Sequence, residues 1–393
     1  MIVSEEPRTV PRTTKGHKRT QFETIALLLQ GGGALGAYQA GVYQALAEAD
    51  LHPDWVSGIS IGSINAAIIA GNPPNDRVNR LREFWETVSK SPLESSYIKP
   101  MTPSNNFSHA AVSAMEAMKI VLFGANGFFA PRFPFGPAQW LDARSDELSY
   151  YDTSPLRATL KRLVDLDRIN SGTTRVSVGA ANVCTGDLRW FDTTTDLISV
   201  DHFLASSSLP FGFPATQIDG QLYWDGGVIF NTPLRLALED RPRRDMLAFQ
   251  VDVWSARGAR PRNLVEVGTR VKEIWCASRT RIMTDRLTKE QKLRAALHHV
   301  VKQLPKDLRD TDDIKAIEME ADDKVINLVH LTYRAKNYEA LVKEFEFSRR
   351  YNEGALEYRI SRCASHSDKP GNIQTARSET RLSHIRYGGM RLV

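Results

Sequence analysis

The sequence predicts an α/β fold, because strand patterns and helix patterns alternate from residue 22 onward. The run FETIALLLQ (22–30) is almost wholly apolar, which is typical of a buried parallel strand. GAYQAGVYQALAEAD (36–50) follows with apolar residues at helical spacing. DWVSGIS (54–60) predicts a second strand, and SINAAIIAG (63–71) predicts a second helix. The alternation indicates a sheet whose central strands are mostly parallel.

Residues 75–170 are predicted to be mostly helical. In SPLRATLKRLVDLDRI, Ser154 followed by Pro155 predicts an N-cap with proline at the first helical position. The preceding stretch MKIVLFGANGFFAPRFPFGPAQW (118–140) is rich in Phe, Gly and Pro and predicts a long irregular segment. Such a segment is either a packed surface loop or part of a lid or wall of a binding cleft.

The rest of the chain predicts further strands and a change of character near residue 256. A hairpin turns at Thr185–Asp187, a short helix lies in HFLASSSLPFGFPA, and YWDGGVIFNTPL and DMLAFQVDVW contain strands. After Gly258 come a long basic helix, the strand KVINLVHLTYR and the helix YEALVKEFEFSRRYNEGALEYRI. We therefore expect four segments, namely a basic flexible tail (1–20), an α/β domain (21–255), a mostly helical C-terminal module (256–365) and a basic tail (366–393).

Composition argues against a zinc protein, a disulfide-stabilised protein and a membrane-spanning protein. With 393 residues, 42% hydrophobic and 25% charged, the chain has ordinary globular values and a mild net charge of +5. Cys184, Cys276 and Cys363 are far apart and form no C-x-x-C pair, so we expect neither a zinc site nor a disulfide framework. No signal-peptide pattern and no apolar run of bilayer length is present. These features predict a soluble cytoplasmic protein that meets a membrane, if at all, at its surface.

The glycine loop (Gly31–Gly36) has the spacing G-x-G-x-x-G after a strand and before a helix. This spacing fits either a dinucleotide-binding turn or another anion site. A dinucleotide site requires an acidic residue at the end of the second strand, whereas Asp50 and Asp54 both precede that strand. The strand ends in Ser60 instead, so the loop amides are better suited to stabilise charge on a carbonyl oxygen.

Ser60 lies in the pattern G-x-S-x-G, between Gly58 and Gly62, where a strand is expected to turn sharply into a helix. Such a turn presents a serine hydroxyl at the edge of the sheet, and flanking side chains would clash there. Ser60 is therefore the candidate nucleophile.

The candidate base for Ser60 is Asp225, because none of the nine histidines has a persuasive context. Asp225 ends a predicted strand, and Gly226-Gly227 allows close backbone approach. An aspartate is an ordinarily weak base, and burial in an apolar cleft raises its basicity. Taken alone, the same residues also fit a common Asp-Gly turn.

GGGALG, GISIGS and DGG occur in the order and spacing of the patatin-like phospholipase family, which residues 22–255 resemble. FLASSSLPFGFPA and the NTP after DGG are similar to that family as well. The region after 256 resembles an extra module of some bacterial members. The resemblance implies a three-layer α/β/α fold and hydrolysis of lipid acyl esters by a Ser–Asp dyad, without cofactor or metal.

Carried over to this chain, the resemblance makes Ser60 the nucleophile and Asp225 the base. It implies an oxyanion hole at Gly31, Gly32, Gly33, Ala34, Leu35 and Gly36, to which the amide of Ile61 is a candidate addition. Gly58, Gly62, Gly226 and Gly227 support the motifs, and Asn231 and Pro233 are structural. Many members carry Arg or Lys where this chain has Leu35, so the choice between phospholipid, neutral lipid and thioester stays open.

We therefore expect a lipid acyl hydrolase whose acyl cleft is lined by the apolar segment 120–141. Its partner is a lipid or acyl-ester substrate, with peripheral membrane contact and without nucleic acid. Two alternatives keep the same residues: an acyltransferase or thioesterase using the dyad, and a catalytically silent lipid-binding protein.

Overall fold

A computed structural model describes residues 22–90, 106–132, 148–333, 347, 384–387 and 391–392. The tail at 1–20, residues 133–141 of the apolar segment, the helix expected at 338–360 (except Phe347) and Cys363 lie outside the described residues.

The fold is built on one ten-stranded sheet, accompanied by a separate two-stranded ribbon of β3 and β4. The strands are β1 (Thr24–Leu29), β2 (Trp55–Ile59), β3 (Ala130–Pro131), β4 (Tyr151–Asp152), β5 (Arg175–Asn182), β6 (Leu188–Asp192), β7 (Thr216–Ile218), β8 (Gln221–Asp225), β9 (Met246–Asp252), β10 (Ile326–Thr332), β11 (His384–Tyr387) and β12 (Arg391–Leu392). The order is β12-β11-β10-β9-β1-β2-β5-β8-β7, with β6 also paired to β5.

The centre of the sheet is parallel. The strands β11, β10, β9, β1, β2 and β5 run in one direction, and β6, β7, β8 and β12 supply the antiparallel pairs. Along β1, Leu27 and Leu29 pack into one apolar core, whereas Ala26 and Leu28 pack into a second core. Because successive strand side chains point to opposite faces, the sheet is covered on both sides. The predicted α/β fold with a mostly parallel sheet is confirmed.

Eleven α-helices lie within the described residues. They are α1 (Gly36–Glu48), α2 (Ile61–Ala70), α3 (Pro74–Ser89), α4 (Asn106–Phe123), α5 (Ser154–Leu163), α6 (Leu166–Asn170), α7 (Val200–Ser206), α8 (Leu234–Glu239), α9 (Leu264–Gln303), α10 (Lys306–Arg309) and α11 (Asp312–Glu320). Every residue of α2 is buried, as expected for a helix without a polar face. None of the described helices is long and apolar enough to cross a membrane.

Two local predictions were wrong. Ser154 is the first residue of α5 rather than its N-cap, which is Thr153, and the Ser154 amide instead donates to Asp152 at 3.1 Å. Residues 118–123, expected to be irregular, continue α4, which ends before Gly124, a residue whose φ of 82° lies outside the helical region. The predicted hairpin is confirmed as the pair of β5 and β6.

The sheet continues beyond residue 256. β10 pairs with β9, and β11 and β12 come from the segment expected to be a basic tail. The long helix α9 begins at an N-cap, Asn263, whose side chain accepts a hydrogen bond from the amide of Glu266 at 2.9 Å. The division into four segments stays a prediction.

Strand register brings the two candidate catalytic residues together. Ile59 pairs with Gly179 on β5, so Ser60 comes level with Ala180. β6 pairs with β5 on the side opposite β2, and Ala180 pairs with both Arg189 of β6 and Asp225, the last residue of β8, so β8 lies on the same side of β5 as β2. Asp225 therefore follows on from the end of β2, next to Ser60.

Candidate active site

Ser60 lies on a strained turn between β2 and α2. Its φ of 56° and ψ of −129° form a conformation that costs a non-glycine residue roughly 1–3 kcal/mol. The Ser60 amide donates to the carbonyl and the hydroxyl of Ser206 at 3.1 and 3.0 Å. The Ser206 hydroxyl donates in turn to the Gly179 carbonyl at 2.7 Å. These bonds hold the turn in place, with Ser60 half-buried at the sheet edge.

The turn has no room for a side chain at Gly58. A β-carbon there would lie 2.3 Å from the carbonyl carbon of Gly62, in the first turn of α2. Since both atoms belong to tightly packed segments, the clash could not be relieved by a rotamer change. The G-x-S-x-G spacing is therefore required by packing around Ser60.

The glycine loop passes directly beside Ser60. A β-carbon on Gly31 would lie 2.9 Å from Cβ of Ser60 and 2.3 Å from Oδ1 of Asn231. The loop then enters a short 3-10 turn (Gly33–Leu35) that leads into α1. The backbone of the loop can approach Ser60 this closely only because Gly31 lacks a side chain.

The amides predicted to form the oxyanion hole fall into two groups. The first group donates hydrogen bonds to carbonyls within the fold and consists of the amides of Gly31, Leu35 and Gly36. The second group donates to no acceptor among the residues that the structure describes and consists of the amides of Gly32, Gly33, Ala34 and Ile61. The second group contains the donors that are free to bind a developing negative charge.

The side chain of Leu35, the residue that replaces the cation of many relatives, is 1% exposed and packs in the core. The loop therefore presents backbone, and no charged side chain, at this position.

Asp225 is buried at the end of β8, with only 2% of its surface exposed. Its Oδ1 accepts a hydrogen bond from the amide of Gly227 at 2.7 Å, within the 3-10 turn Gly226–Val228. The Ser60 side chain is near enough to this carboxylate to lower its pKa. The two candidate catalytic groups are thus neighbours.

Burial raises the pKa of the Asp225 carboxyl from 3.8 to about 6, against the opposing effects of the Ser60 side chain, the Gly227 amide and the charge of Lys272 on α9. A carboxylate with this pKa is still ionised at neutral pH. It is also a stronger base than an exposed aspartate, and it lies in place to accept the Ser60 proton.

Three of the described histidines, His52, His202 and His330, have other partners. His52 is hydrogen-bonded to Tyr43 at 3.2 Å, and His202 accepts a bond from the amide of Ser199 in the cap of α7. His330 on β10 is paired with the buried Asp252 on β9. These contacts agree with the prediction that the histidines are structural or exposed.

Asn231 was predicted to be structural, and its side chain donates to the Gly31 carbonyl at 2.9 Å. Three other residues that support the site, Trp254, Gln30 and Thr280, were not predicted. The Trp254 indole donates to the same carbonyl at 2.9 Å. The Gln30 side chain, directly before the loop in sequence, donates a hydrogen bond to the Thr280 hydroxyl. The sequence could have pointed to Gln30, because it is a polar residue at the end of an apolar strand. Nothing in the sequence distinguishes Thr280 from its neighbours in a basic helix.

Comparison with known proteins decides the family. A family model described as patatin-like phospholipase matches residues 27–238, which is more than half of the chain. The chain belongs to the patatin-like phospholipase family. A second model, described as patatin phospholipase, matches residues 274–353 of this patatin-like chain, within the expected C-terminal module.

The chain matches curated relatives over a short segment and solved structures over a larger part of its length. Patatin-like phospholipase domain-containing protein 6 of Mus musculus and its Homo sapiens namesake are each 42% identical over 71 residues, or 18% of this chain and 5% of those proteins. The match thus spans about a twentieth of these curated relatives. VipD from Legionella pneumophila has a TM-score of 0.36 and 14% identity, over 91% of this chain and 71% of that chain. Human GIVD cytosolic phospholipase A2 has a TM-score of 0.30 and 15% identity, over 57% and 40%.

The pKa of Asp225 predicts an acidic limb in the pH profile. A base must be deprotonated, so kcat/KM for an ester should be level above about pH 7 and fall about tenfold per unit well below pH 6. Lys272→Met removes a charge that lowers this pKa, so the limb should move to higher pH. Lys289→Met, about 25 Å further along α9, is the matched control and should leave the limb in place. A limb near pH 4, or one that both variants move equally, contradicts this assignment.

The same pKa predicts that Asp225→Asn gives a more stable and nearly inactive protein. A carboxyl whose pKa is raised on folding loses stability as pH increases from about 4 to 6, here by about 3 kcal/mol. The neutral amide should therefore raise the Tm at pH 8, with little gain at pH 4, and lower ester turnover by about 10²–10⁴-fold. Thermal unfolding at both pH values, with turnover at pH 8, tests this. A destabilised variant with near-normal turnover would make Asp225 an ordinary turn residue.

Proposed function

We propose that this chain is a serine-dependent lipid acyl hydrolase that uses Ser60 and Asp225 as a dyad. The observation that carries the proposal is the position of the buried Asp225 carboxylate next to Ser60, beside amides that have no acceptor among the described residues. Membership of the patatin-like phospholipase family supports a lipid ester as the substrate.

The reaction proceeds in two halves. Ser60 Oγ attacks the ester carbonyl while Asp225 accepts its proton, and the carbonyl oxygen becomes an oxyanion held by the amides of Gly32, Gly33, Ala34 and Ile61. The C–O bond to the alcohol then breaks, and Asp225 returns the proton to the departing alcohol. Water, deprotonated by Asp225, attacks the acyl-enzyme and releases the fatty acid, and the proton passes back to Ser60 Oγ. No cofactor takes part in this sequence.

Labelling with an active-site fluorophosphonate tests the nucleophile. The wild-type protein should be labelled at Ser60, because the phosphonate forms the same bond as the acyl group. Ser60→Ala should abolish labelling and ester turnover, and Ser171→Ala, which removes an exposed serine, should change neither. Unlabelled wild type would favour a silent lipid-binding protein. A labelled enzyme that transfers its acyl group to an added alcohol or thiol faster than to water would favour an acyltransferase.

We propose further that the substrate reaches the dyad from a lipid surface. The loop after Ser208 is joined to Asp225, whose amide donates to the Ser208 carbonyl at 2.9 Å. In this loop Phe211 has a φ of 67° and is 80% exposed. An exposed aromatic ring on a residue with a strained backbone, in a loop bonded to Asp225, supports this proposal. We infer that the ring enters the lipid beside the site.

Phe211→Ser should separate action on vesicles from action on a soluble ester. Losing the burial of one aromatic ring in lipid should lower vesicle binding and hydrolysis about tenfold or more. Turnover of a short, monomeric ester should stay within about twofold, because this substrate does not have to be taken from a lipid surface. Leu197→Ser is the control, because Leu197 is 76% exposed in a loop distant in sequence from the site. Equal effects of both variants, or equal loss on both substrates, contradict this role of Phe211.

A further inference from the structure

The Gln30 side chain links the glycine loop to α9 through hydrogen bonds. It is fully buried, and all of its hydrogen-bonding groups are paired. Oε1 accepts from the amides of Val253 and Trp254 at 2.7 and 3.2 Å. Nε2 donates to the hydroxyls of Thr232 and Thr280 at 3.1 and 3.2 Å. An amide with four partners is fixed in one orientation, so Gln30 ties three segments of the chain to the residue before Gly31.

Two of the segments that Gln30 binds also fix the orientation of the first peptide group of the glycine loop. Asn231, next to Thr232, donates its side-chain amide to the Gly31 carbonyl, and the Trp254 indole donates to the same oxygen, each at 2.9 Å. In a planar trans peptide the carbonyl and the following N–H point in opposite directions. Two donors on the Gly31 carbonyl therefore fix the direction of the Gly32 amide, which has no acceptor among the described residues.

One face of α9 contacts both supporting segments. Thr280 is hydrogen-bonded to Thr232 at 2.8 Å, and Arg279 donates to the Ile229 carbonyl at 2.8 Å. Two turns earlier on α9, the Lys272 ammonium lies 5.5 Å from the centre of the Trp254 ring. Residues seven or eight apart share a helix face, so these contacts form one stripe along α9.

We propose that Thr280 is a positioning residue for the oxyanion amides, acting through Gln30 and Thr232. This inference rests on the proposed function of the site. The Thr280 hydroxyl holds the Gln30 amide and the Thr232 hydroxyl together. It thereby keeps Asn231 and Trp254 aligned on the Gly31 carbonyl. Preorganised amides matter most in the transition state, when the negative charge has formed. The region after residue 256 would then take part in catalysis without touching the substrate.

Thr280→Val tests the proposal, because it keeps the shape of the side chain and removes the hydroxyl. Using a soluble ester, we expect kcat to fall about tenfold and KM to change less than twofold, since only transition-state binding is affected. Phosphonylation of Ser60 by the fluorophosphonate should slow by a similar factor. The acidic limb of the pH profile should stay in place, because the dyad itself is intact. Thr280→Ser, which restores the hydroxyl, should recover most of kcat.

Thr284→Val is the matched control. Thr284 is buried one turn further along α9, and its hydroxyl donates only to the Thr280 carbonyl of the same helix, at 2.9 Å. It should leave kcat within about twofold of wild type, whatever it does to the Tm. If Thr280→Val does not fold, the smaller Thr280→Ala replaces it in the same comparison.

The outcomes separate this proposal from the proposed function. Equal kcat for Thr280→Val and Thr284→Val, or no recovery with Thr280→Ser, overturns the role of Thr280 and leaves the dyad standing. A wild-type protein that the fluorophosphonate does not label overturns the dyad itself. A loss confined to Thr280→Val and rescued by serine supports the proposal.

Discussion

The whole site depends on backbone segments that touch without intervening side chains. The glycine loop lies against Ser60, and Gly58 lies against Gly62 within the same turn. These contacts bring the backbone that follows β1 close to Ser60, so a serine hydroxyl lies beside amides that have no acceptor among the described residues. A single β-carbon at Gly31 or Gly58 would separate the elements that must act together. The strained φ of Ser60 is tolerated because the packed backbone around it holds the residue in that conformation.

A second constraint is the burial of a charge. Asp225 loses the solvation of its carboxylate, and only the Gly227 amide, the Ser60 hydroxyl and the more distant Lys272 favour the ionised form. Complete pairing would stabilise the carboxylate and make it a poor base, whereas no pairing would leave it protonated at neutral pH. The observed environment lies between these extremes. It is therefore a compromise between the stability of the fold and the reactivity of the site.

The sequence sufficed for features set by neighbouring residues. β1, β2, the hairpin of β5 and β6 and the three glycine motifs follow from local patterns, because alternation and turn chemistry act over a few residues. The cap of α5 was misplaced by one residue, because Thr153 makes no side-chain capping bond and the Ser154 amide is bound by Asp152, a contact that the Ser-Pro pattern does not reveal. The link from Gln30 to Thr280 could not be predicted, because it joins residues 250 positions apart through tertiary packing alone. The pairing of β10 with β9 is of the same kind.

The position of β1 in the sheet has a consequence for the chain during its synthesis. β1 is made early, and its neighbours are β2 and β9, the second of which ends only at Asp252. Until then one edge of an apolar strand stays unpaired and open to non-native pairing. Asp225 follows Ser60 by 165 residues, and α9 follows β9. A chain that ends before Asp225 therefore holds Ser60 without its proposed base, and a chain that ends before α9 lacks the support of the glycine loop.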